Sequence, residues 1–421
     1  MESTEKEQPI PPLRSDIEPV PVEAEGKQFL ALHDPEGIAQ GTVAVSPAGW
    51  ALASIFDGRH TAAQIAQALS QQAKAAVSAE QIRALAAELE KADLLETEKV
   101  FHARRKILKE FQESPVRKAA LADAAYPSGA PALSSLLGKF LLHDAEGPKK
   151  ALSPKPSSPQ TPKGLVAPHI DLARGGFAYA WSYQALSECP PPDLIVALGV
   201  AHVSPDSPWT LTAKDYETPY GPMKASAELF AEFKDLLWYD PCKDEWAHRK
   251  EHSLEFQALW LKSLWRDAAP PWLPILTSSF ERFCPKNAPS SVQTMETAIE
   301  AIGRRLAERA KTQRILVLAA VDLAHVGPKF GDELKLDDAL RKKVEAEDRA
   351  TLEKAFALDA DAFYLSSAVE GSWRHVCGSS ALYTALRWMK ALGAKQGKLL
   401  RYGQADDPAG GIVSFSASIF Q

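Results

Sequence analysis

Short apolar runs alternate with amphipathic helical segments from Lys163 to the end of the chain. Three of these runs are continuously apolar, at residues 164–167, 194–200 and 315–321. An apolar run without polar alternation is typical of a strand that is buried on both faces. Such strands, separated by helices, predict an α/β domain in which helices cover both faces of a sheet.

Residues 17–100 show the pattern of a smaller α+β domain. Its helices are predicted from a capping serine followed by proline and from two capping boxes, each followed by apolar residues at helical spacing. A short apolar segment after the third helix predicts a return strand, so the order resembles a small winged helix. The predicted elements are strands at 27–34, 42–46 and 94–97 and helices that start at Ser46-Pro47 (ending at Phe56), at TAAQ 61–64 and at SAEQ 78–81.

Prolines mark the expected boundary between these two parts. The segment 148–162 holds five of the 31 prolines, together with lysines and serines, and has no apolar period. It therefore predicts an extended linker. The sequence predicts four parts, which are a flexible arm at 1–16, the small domain at 17–100, a connector helix with loosely ordered chain and the linker at 101–162, and the α/β domain at 163–421.

Composition and charge exclude several classes of protein. The chain is 45% hydrophobic and 24% charged, which is typical of a folded soluble protein. Its net charge of −6 gives no general attraction to nucleic acid or to anionic lipid. The four cysteines are far apart, which excludes a disulfide scaffold and a zinc ribbon and favours a reducing, cytoplasmic location. We expect neither a signal peptide nor a membrane-spanning segment.

Three of the ten histidines, His169, His202 and His325, follow the three apolar runs. Ligands of open α/β sheets bind at the carboxyl ends of the strands, so three histidines at one edge favour a shared site over isolated structural roles. Cys377 precedes a predicted helix, where a lowered thiol pKa would favour the metal-binding thiolate. The alternative for a cysteine is a buried, inert side chain, which we expect for Cys189, Cys242 and Cys284.

Short motifs occur in a fixed order along the two parts of the chain. In the second part they are His169 after a short strand, GVAH at 199–202, TPYG at 218–221, EHS at 251–253, DLAH at 322–325, CG at 377–378 and GIVSFSASIF at 411–420. This set resembles Memo-like proteins, which share the fold of class III extradiol dioxygenases. In the first part, DPEG at 34–37, DGRHT at 57–61 and the helix within 77–96 resemble PqqD-like peptide-recognition domains.

With both parts considered together, the chain resembles the AmmeMemoRadiSam system protein B family, whose bacterial or archaeal members are associated with a radical-SAM protein. They imply one metal ion held by His169, His202 and Cys377. Related dioxygenases bind Fe(II) through two histidines and a carboxylate. A thiolate in place of the carboxylate leaves iron, copper and zinc open and puts ring cleavage in doubt.

The same resemblance implies roles for residues around that metal. His325 would act as a general acid or base, Asp322 would orient it, and His252 would line the pocket. Glu251 and Asp171 would hydrogen-bond to the metal ligands without binding the ion themselves. For Asp171 two further alternatives are metal binding and an ion pair with Arg174, and support or the ion pair is favoured.

Two functions follow. The first is a metal-dependent redox or dioxygenase-type enzyme that works with a radical-SAM partner. The second is a non-catalytic scaffold that binds a peptide or partner through the first domain. A packing or dimerisation role of the first domain is an alternative to peptide binding. DNA binding by the winged helix is disfavoured, because four acidic residues outnumber Arg83 and Lys91 on the third helix.

Overall fold

The computed structural model describes residues 7–24, 26–41, 43–73, 77–153, 155–203 and 205–421. The chain divides into two compact units, Met1–Glu113 and Ser114–Gln421. Within the described residues, no helix combines the length and the apolar character that crossing a membrane requires.

The first unit combines a three-stranded antiparallel sheet, in the order β1-β2-β3, with helices. Strands β2 and β3 and helices α1, α2 and α3 correspond to predicted elements, α1 ends at Ala53 and not at Phe56, and β1 is an additional strand. The predicted return strand is reduced to a single bridge between Leu13 and Leu95. Thr42, the first residue of one predicted strand, lies outside the described residues. The elements are β1 (Glu18–Ala24), β2 (Lys27–His33), β3 (Val43–Val45), α1 (Pro47–Ala53), α2 (Ala62–Ala73), α3 (Ala79–Lys91) and α4 (Glu98–Glu113).

The segment before β1 is packed, in contrast to the flexible arm that the sequence predicts at 1–16. Ile10 is buried in the core of this unit. The Arg14 side chain is fully buried, with ion pairs of 2.5 Å to Asp16 and 2.6 Å to Asp34. A buried guanidinium must be paired, so these contacts hold the segment in place. Residues 1–6 of the predicted arm lie outside the described residues.

The second unit is built on a mixed sheet of eight strands in the order β11-β13-β5-β10-β6-β9-β7, with β12 paired to β13. Strands β5, β10, β6 and β9 are parallel, and the others are antiparallel. The elements are β4 (Val116–Arg117), α5 (Ala130–Leu142), β5 (Gly164–Ala167), α6 (Leu172–Ser187), β6 (Leu194–Val200), β7 (Trp209–Leu211), β8 (Asp215–Tyr216), α7 (Ala227–Leu236), α8 (Glu255–Trp265), β9 (Trp272–Thr277), α9 (Gln293–Arg309), β10 (Ile315–Ala320), β11 (Asp322–Val326), α10 (Asp338–Phe356), α11 (Ala360–Tyr364), α12 (Ser379–Ala391), β12 (Gly397–Asp407) and β13 (Gly411–Phe420).

Helices cover both faces of this sheet, as the apolar runs predict. Successive residues of β5 point to opposite faces, so Leu165 packs with α5, α6 and α8 while Val166 packs with α9 and α12. All residues of β5, β6 and β10 are buried. Because β5, β10 and β6 are neighbouring parallel strands, their carboxyl ends lie at one edge of the sheet.

The boundary between the units falls at residue 113, far before the Pro-rich segment from which the sequence places it. Residues 114–162 belong to the second unit because α5 packs on α6 through Leu133, Leu137 and Phe140. The described residues of the Pro-rich segment form no helix or strand, but they lie along the end of α6. The amides of Ser157 and Ser158 both donate to the Glu188 carbonyl oxygen, at 2.8 and 2.7 Å. Proline content therefore identified an irregular segment and not a separation between domains.

Candidate metal centre

His169 and His202 each lie two residues beyond the end of a buried parallel strand, β5 and β6. Both strands pair in parallel with β10, one on each side of it, so their carboxyl ends lie at the same edge of the sheet. The two imidazole rings have centroids 5.1 Å apart and are perpendicular to each other. The structure therefore brings these two histidines into one site.

His252 joins these two rings from the loop that precedes α8. Its ring stacks on His202 at a centroid distance of 4.6 Å and lies 5.5 Å from His169. Among the described residues, one potential ligand atom from each of these three histidines lies within 4.8 Å of the others. In a tetrahedral site with metal–nitrogen bonds of about 2.1 Å, the nitrogen ligands are about 3.4 Å apart. Small rotations of the three rings would bring their nitrogens to this separation.

Hydrogen bonds fix which ring nitrogen of His169 and of His202 is free. The Nδ1–H of His169 donates to the Ala320 carbonyl oxygen at 2.9 Å, which leaves its Nε2 with a lone pair. The Nδ1 of His202 lies 3.0 Å from a carboxylate oxygen of Glu251. Glu251 also accepts the backbone N–H groups of His202 and Ser253, both at 2.9 Å. Metal-binding histidines usually donate their second N–H to a carbonyl or carboxylate in this way.

Burial keeps two of the three rings neutral. It lowers the pKa of His169, whose side chain is 2% exposed, to about 3 and that of His252, whose side chain is 34% exposed, to about 4, since loss of hydration disfavours the charged ring. Burial also acts against charge on His202, but the hydrogen bond and charge of Glu251 outweigh it and raise the His202 pKa. For Glu251, burial alone would raise the pKa, and the contacts with His202 lower it well below its usual range.

Cys377 lies beside this group of three histidines and is not part of it. Its Sγ is 3.4 Å from the Nε2 of His169. The pKa of the thiol is raised well above its ordinary value by burial and by the negative charges of Asp322 and Glu251. In the metal-free protein, burial and these charges therefore act against the thiolate, in the opposite direction to the effect expected from the start of α12. The positive charge of a coordinated metal ion is what would favour the thiolate.

His325 lies on β11, and its side chain lines the same cavity as the three histidines. Its Nδ1–H donates to the Leu323 carbonyl oxygen at 3.1 Å, and burial lowers its pKa to about 4. The sequence predicts that Asp322 orients this ring, but the backbone carbonyl of Leu323 has that contact. Asp322 instead accepts the backbone N–H of His169 at 2.9 Å and lies 3.5 Å from its Nε2.

Asp171 caps the start of α6. Its carboxylate accepts the backbone N–H of Arg174 at 3.1 Å and the Nε–H of the same residue at 2.6 Å. The structure therefore shows the ion pair, one of the three alternatives for this residue.

Two cavities adjoin the site. The first, of about 370 Å³, contains His169, His202, His252 and His325. The second, of about 360 Å³, contains Cys377, several hydroxyl side chains and again His202. Sequence reasoning missed most of the lining of the first cavity, because no local motif distinguishes these residues from core or surface positions: Ile170, Phe256, Lys329, Phe330, Asp407 and Val413.

Fold and site define a mixed α/β protein with a histidine cluster at the carboxyl edge of its sheet, suited to a metal ion. The sequence profile described as "Memo-like protein" matches residues 117–417, and the chain belongs to this family.

Curated relatives carry the name MEMO1 family protein. One from Aquifex aeolicus is 27% identical over 400 residues, which cover 94% of this chain and 96% of the relative. One from Methanocaldococcus jannaschii is 29% identical over 318 residues, which cover 73% of this chain and 99% of the relative. One from Thermus thermophilus is 28% identical over 280 residues, covering 66% and 75%. The Aquifex relative therefore matches nearly the whole chain, whereas about a quarter lies outside the match to the archaeal relative.

Proposed function

We propose that this chain binds one transition-metal ion and is a metal-dependent enzyme of redox or dioxygenase type. The observation that carries this proposal is the group of three imidazoles within 4.8 Å of one another. His169, His202 and His252 would hold the ion, and Cys377 lies close enough to His169 to act as a further ligand. Nitrogen and sulfur donors favour iron, copper or zinc over magnesium or calcium.

The protein groups around the ion have distinct tasks in this proposal. Glu251 contacts Nδ1 of His202, so that Nε2 of His202 is free to bind the ion. The free Nε2 of His325, a neutral ring at neutral pH, would accept a proton from a small molecule bound in the first cavity. Phe256 and Phe330 would offer that molecule apolar contacts, and Lys329 and Asp407 would offer charged ones. When bound, the metal would supply redox chemistry or polarise a ligand at an open position.

Metal titration of the purified protein tests this proposal. We expect the reduced, metal-stripped protein to bind about one Co²⁺ per chain, with the absorption bands of a nitrogen-ligated ion. His169→Ala should weaken binding by more than roughly 100-fold, the upper end of the cost of losing an outer partner of a ligand. His143→Ala is the control, since it removes an exposed imidazole outside the site. A wild-type protein without affinity for Co²⁺, Fe²⁺, Cu⁺ or Zn²⁺ contradicts the proposal.

A second candidate is partner binding by the first unit, which we propose is a PqqD-like winged helix that contacts the radical-SAM protein of the same system. The observation that favours it is the exposure of every residue of β1, with Val20 at 44% and Val22 at 37% on one face. Pro19 and Pro21 have no N–H, and a proline in an edge strand directs its nitrogen away from the neighbouring strand. A peptide strand added to the edge of β1 would lack these two backbone N–H donors. We therefore favour contact through the face that carries Val20 and Val22.

Capture of the radical-SAM protein by the full-length chain tests this candidate. Val20→Ser with Val22→Ser should reduce capture at least about tenfold if the apolar face contributes most of the contact. Glu23→Ser on the same strand is the control, because it changes an exposed residue on the opposite face. Equal capture by wild type and the double variant rules out this surface.

A further inference from the structure

Arg117 is a buried residue that contacts the loop carrying His252 without lining the cavity. It lies on β4, and its side chain is fully buried. Its Nε–H donates to the His248 carbonyl oxygen at 2.9 Å, and an Nη2–H donates to the Glu251 carbonyl oxygen at 2.8 Å. Its Nη1 pairs with the carboxylate of Glu255. One guanidinium thus binds the loop 248–255 at three points.

The carboxylate of Glu255 is held equally firmly. It accepts the hydroxyl of Tyr126, the backbone N–H of Leu121 at 2.9 Å and the backbone N–H of Ala120 at 3.1 Å, besides the contact with Arg117. The Glu255 side chain is 1% exposed. Its partners come from the segment 117–126, so that segment anchors the start of α8.

The two residues that matter for the site lie between these anchors. Glu251 orients His202, and His252 stacks on the same ring. We infer that Arg117 and Glu255 are a positioning pair that places Glu251 and His252 for metal binding. The metal-binding part of this inference rests on the proposed function.

Lysine cannot replace Arg117 in this geometry. The planar guanidinium directs its donors at two carbonyl oxygens and one carboxylate at once, whereas an ammonium group is a compact point charge. Arg117→Lys therefore keeps the charge opposite Glu255 and removes the simultaneous hold on the two carbonyls. It separates loop placement from the simple presence of a buried charge.

Histidine-ring NMR of the metal-free protein tests the placement directly. Arg117→Lys should move the ring resonances of His252 and His202 and leave those of His325 unchanged. Arg387→Lys is the matched control, because Arg387 forms a part-buried ion pair with Glu296 between α12 and α9. Unchanged His252 and His202 resonances in the folded Arg117→Lys variant overturn the inference. If that variant does not fold, Glu255→Gln is read in the same way, since it keeps an acceptor and removes the charge.

Co²⁺ titration then tests the consequence for binding. Arg117→Lys should weaken Co²⁺ affinity by about 10–100-fold and change the absorption spectrum, as expected for a lost outer partner of a ligand. Arg387→Lys should bind as wild type does. Wild-type affinity and spectrum in Arg117→Lys overturn the positioning role. If the wild-type protein binds no metal, the proposed function fails, and the NMR comparison still decides whether the pair places the loop.

Discussion

The site has two sides that differ in chemistry and in support. On one side, His252 lies on the loop held by the Arg117–Glu255 pair and shares a cavity with His169 and His325. On the other side, Cys377 lines the second cavity, with its sulfur 3.4 Å from His169. His202 borders both cavities. Two donors of different type therefore approach the same histidine pair from different cavities.

The Cys377 side is also organised by a buried ion pair. Arg374, three residues before the cysteine, pairs with Asp348 on α10 and donates to the Ser366 carbonyl oxygen at 3.0 Å. Asp348 accepts the Ser414 hydroxyl at 2.5 Å, and the same Ser414 oxygen accepts the backbone N–H of Ala324 at 2.8 Å. This pair thus links the Cys377 loop to the strand that carries His325.

The two sides differ in whether the metal-binding side chain is in its metal-binding protonation state before an ion is present. Burial favours the neutral, metal-binding form of His252. Burial and nearby carboxylates disfavour the thiolate of Cys377 until a cation is present. Burial therefore has opposite consequences for metal binding by an imidazole and by a thiol, because only the thiol must become charged to bind the ion. His252 should therefore contribute more than Cys377 to binding of the metal ion.

The largest effect is expected from removing the support of the Cys377 side. Asp348→Ala removes the buried carboxylate that pairs with the Arg374 guanidinium and leaves only the partly exposed Glu347, 3.4 Å from its Nε, which should cost about 3–5 kcal/mol of unfolding free energy. Chemical denaturation of the full chain measures this. Glu345→Ala on the same helix breaks an exposed pair with Arg349 and should cost less than about 0.5 kcal/mol. Equal losses in the two variants would mean that the Arg374–Asp348 pair does not support this side.

A smaller effect is expected on Co²⁺ affinity when His252 or Cys377 is replaced. His252→Ala should weaken Co²⁺ binding by more than roughly 100-fold, or about 2.7 kcal/mol, because it removes one of three clustered imidazoles. Cys377→Ser should weaken it by about tenfold, or about 1.4 kcal/mol, and remove sulfur-to-metal charge-transfer absorption. The measurement is Co²⁺ titration at neutral pH in reducing buffer. The reverse order of the two affinities would assign the third ligand to Cys377, as the resemblance implies.

The smallest effect concerns the rim of the first cavity, where Asp407 accepts Lys329 at 2.7 Å and Arg174 at 2.9 Å. Burial alone would raise the Asp407 pKa, but these cations lower it below its ordinary value. A lowered folded-state pKa gives stability that is present above the unfolded pKa of about 3.9 and is lost as pH falls below it. Asp407→Asn should cost about 1 kcal/mol at pH 7.

Urea denaturation at pH 7, 5 and 3 checks the sign of this effect. Wild type and Asp407→Asn should differ at pH 7 and pH 5 and approach each other at about pH 3. Asp406→Asn is the control, since that neighbouring carboxylate is 71% exposed and should contribute little at any pH. A difference that grows as pH falls would contradict the ion network at this rim.

Much of the site's framework could be predicted from local pattern. The apolar runs at 164–167 and 194–200 are the strands β5 and β6, and the histidines that follow them do meet. The placement of His252 could not be read from pattern, because EHS before a helix is equally compatible with a solvated cap. Nor could the domain boundary, since proline content reports local irregularity and not which side a segment packs against.

Local pattern was enough to predict the strands β2, β3, β5, β6 and β10, the capped helices α1, α2 and α3, and the edge at which His169 and His202 meet, because those features follow from local periodicity and from the direction of parallel strands. The folded structure was needed to place His252 beside them, Asp322 against His169, and Arg117 against a carboxylate 138 residues away in the chain. These are long-range contacts between polar side chains. Their partners are selected by the packing of helices on the sheet, which leaves no local period in the sequence.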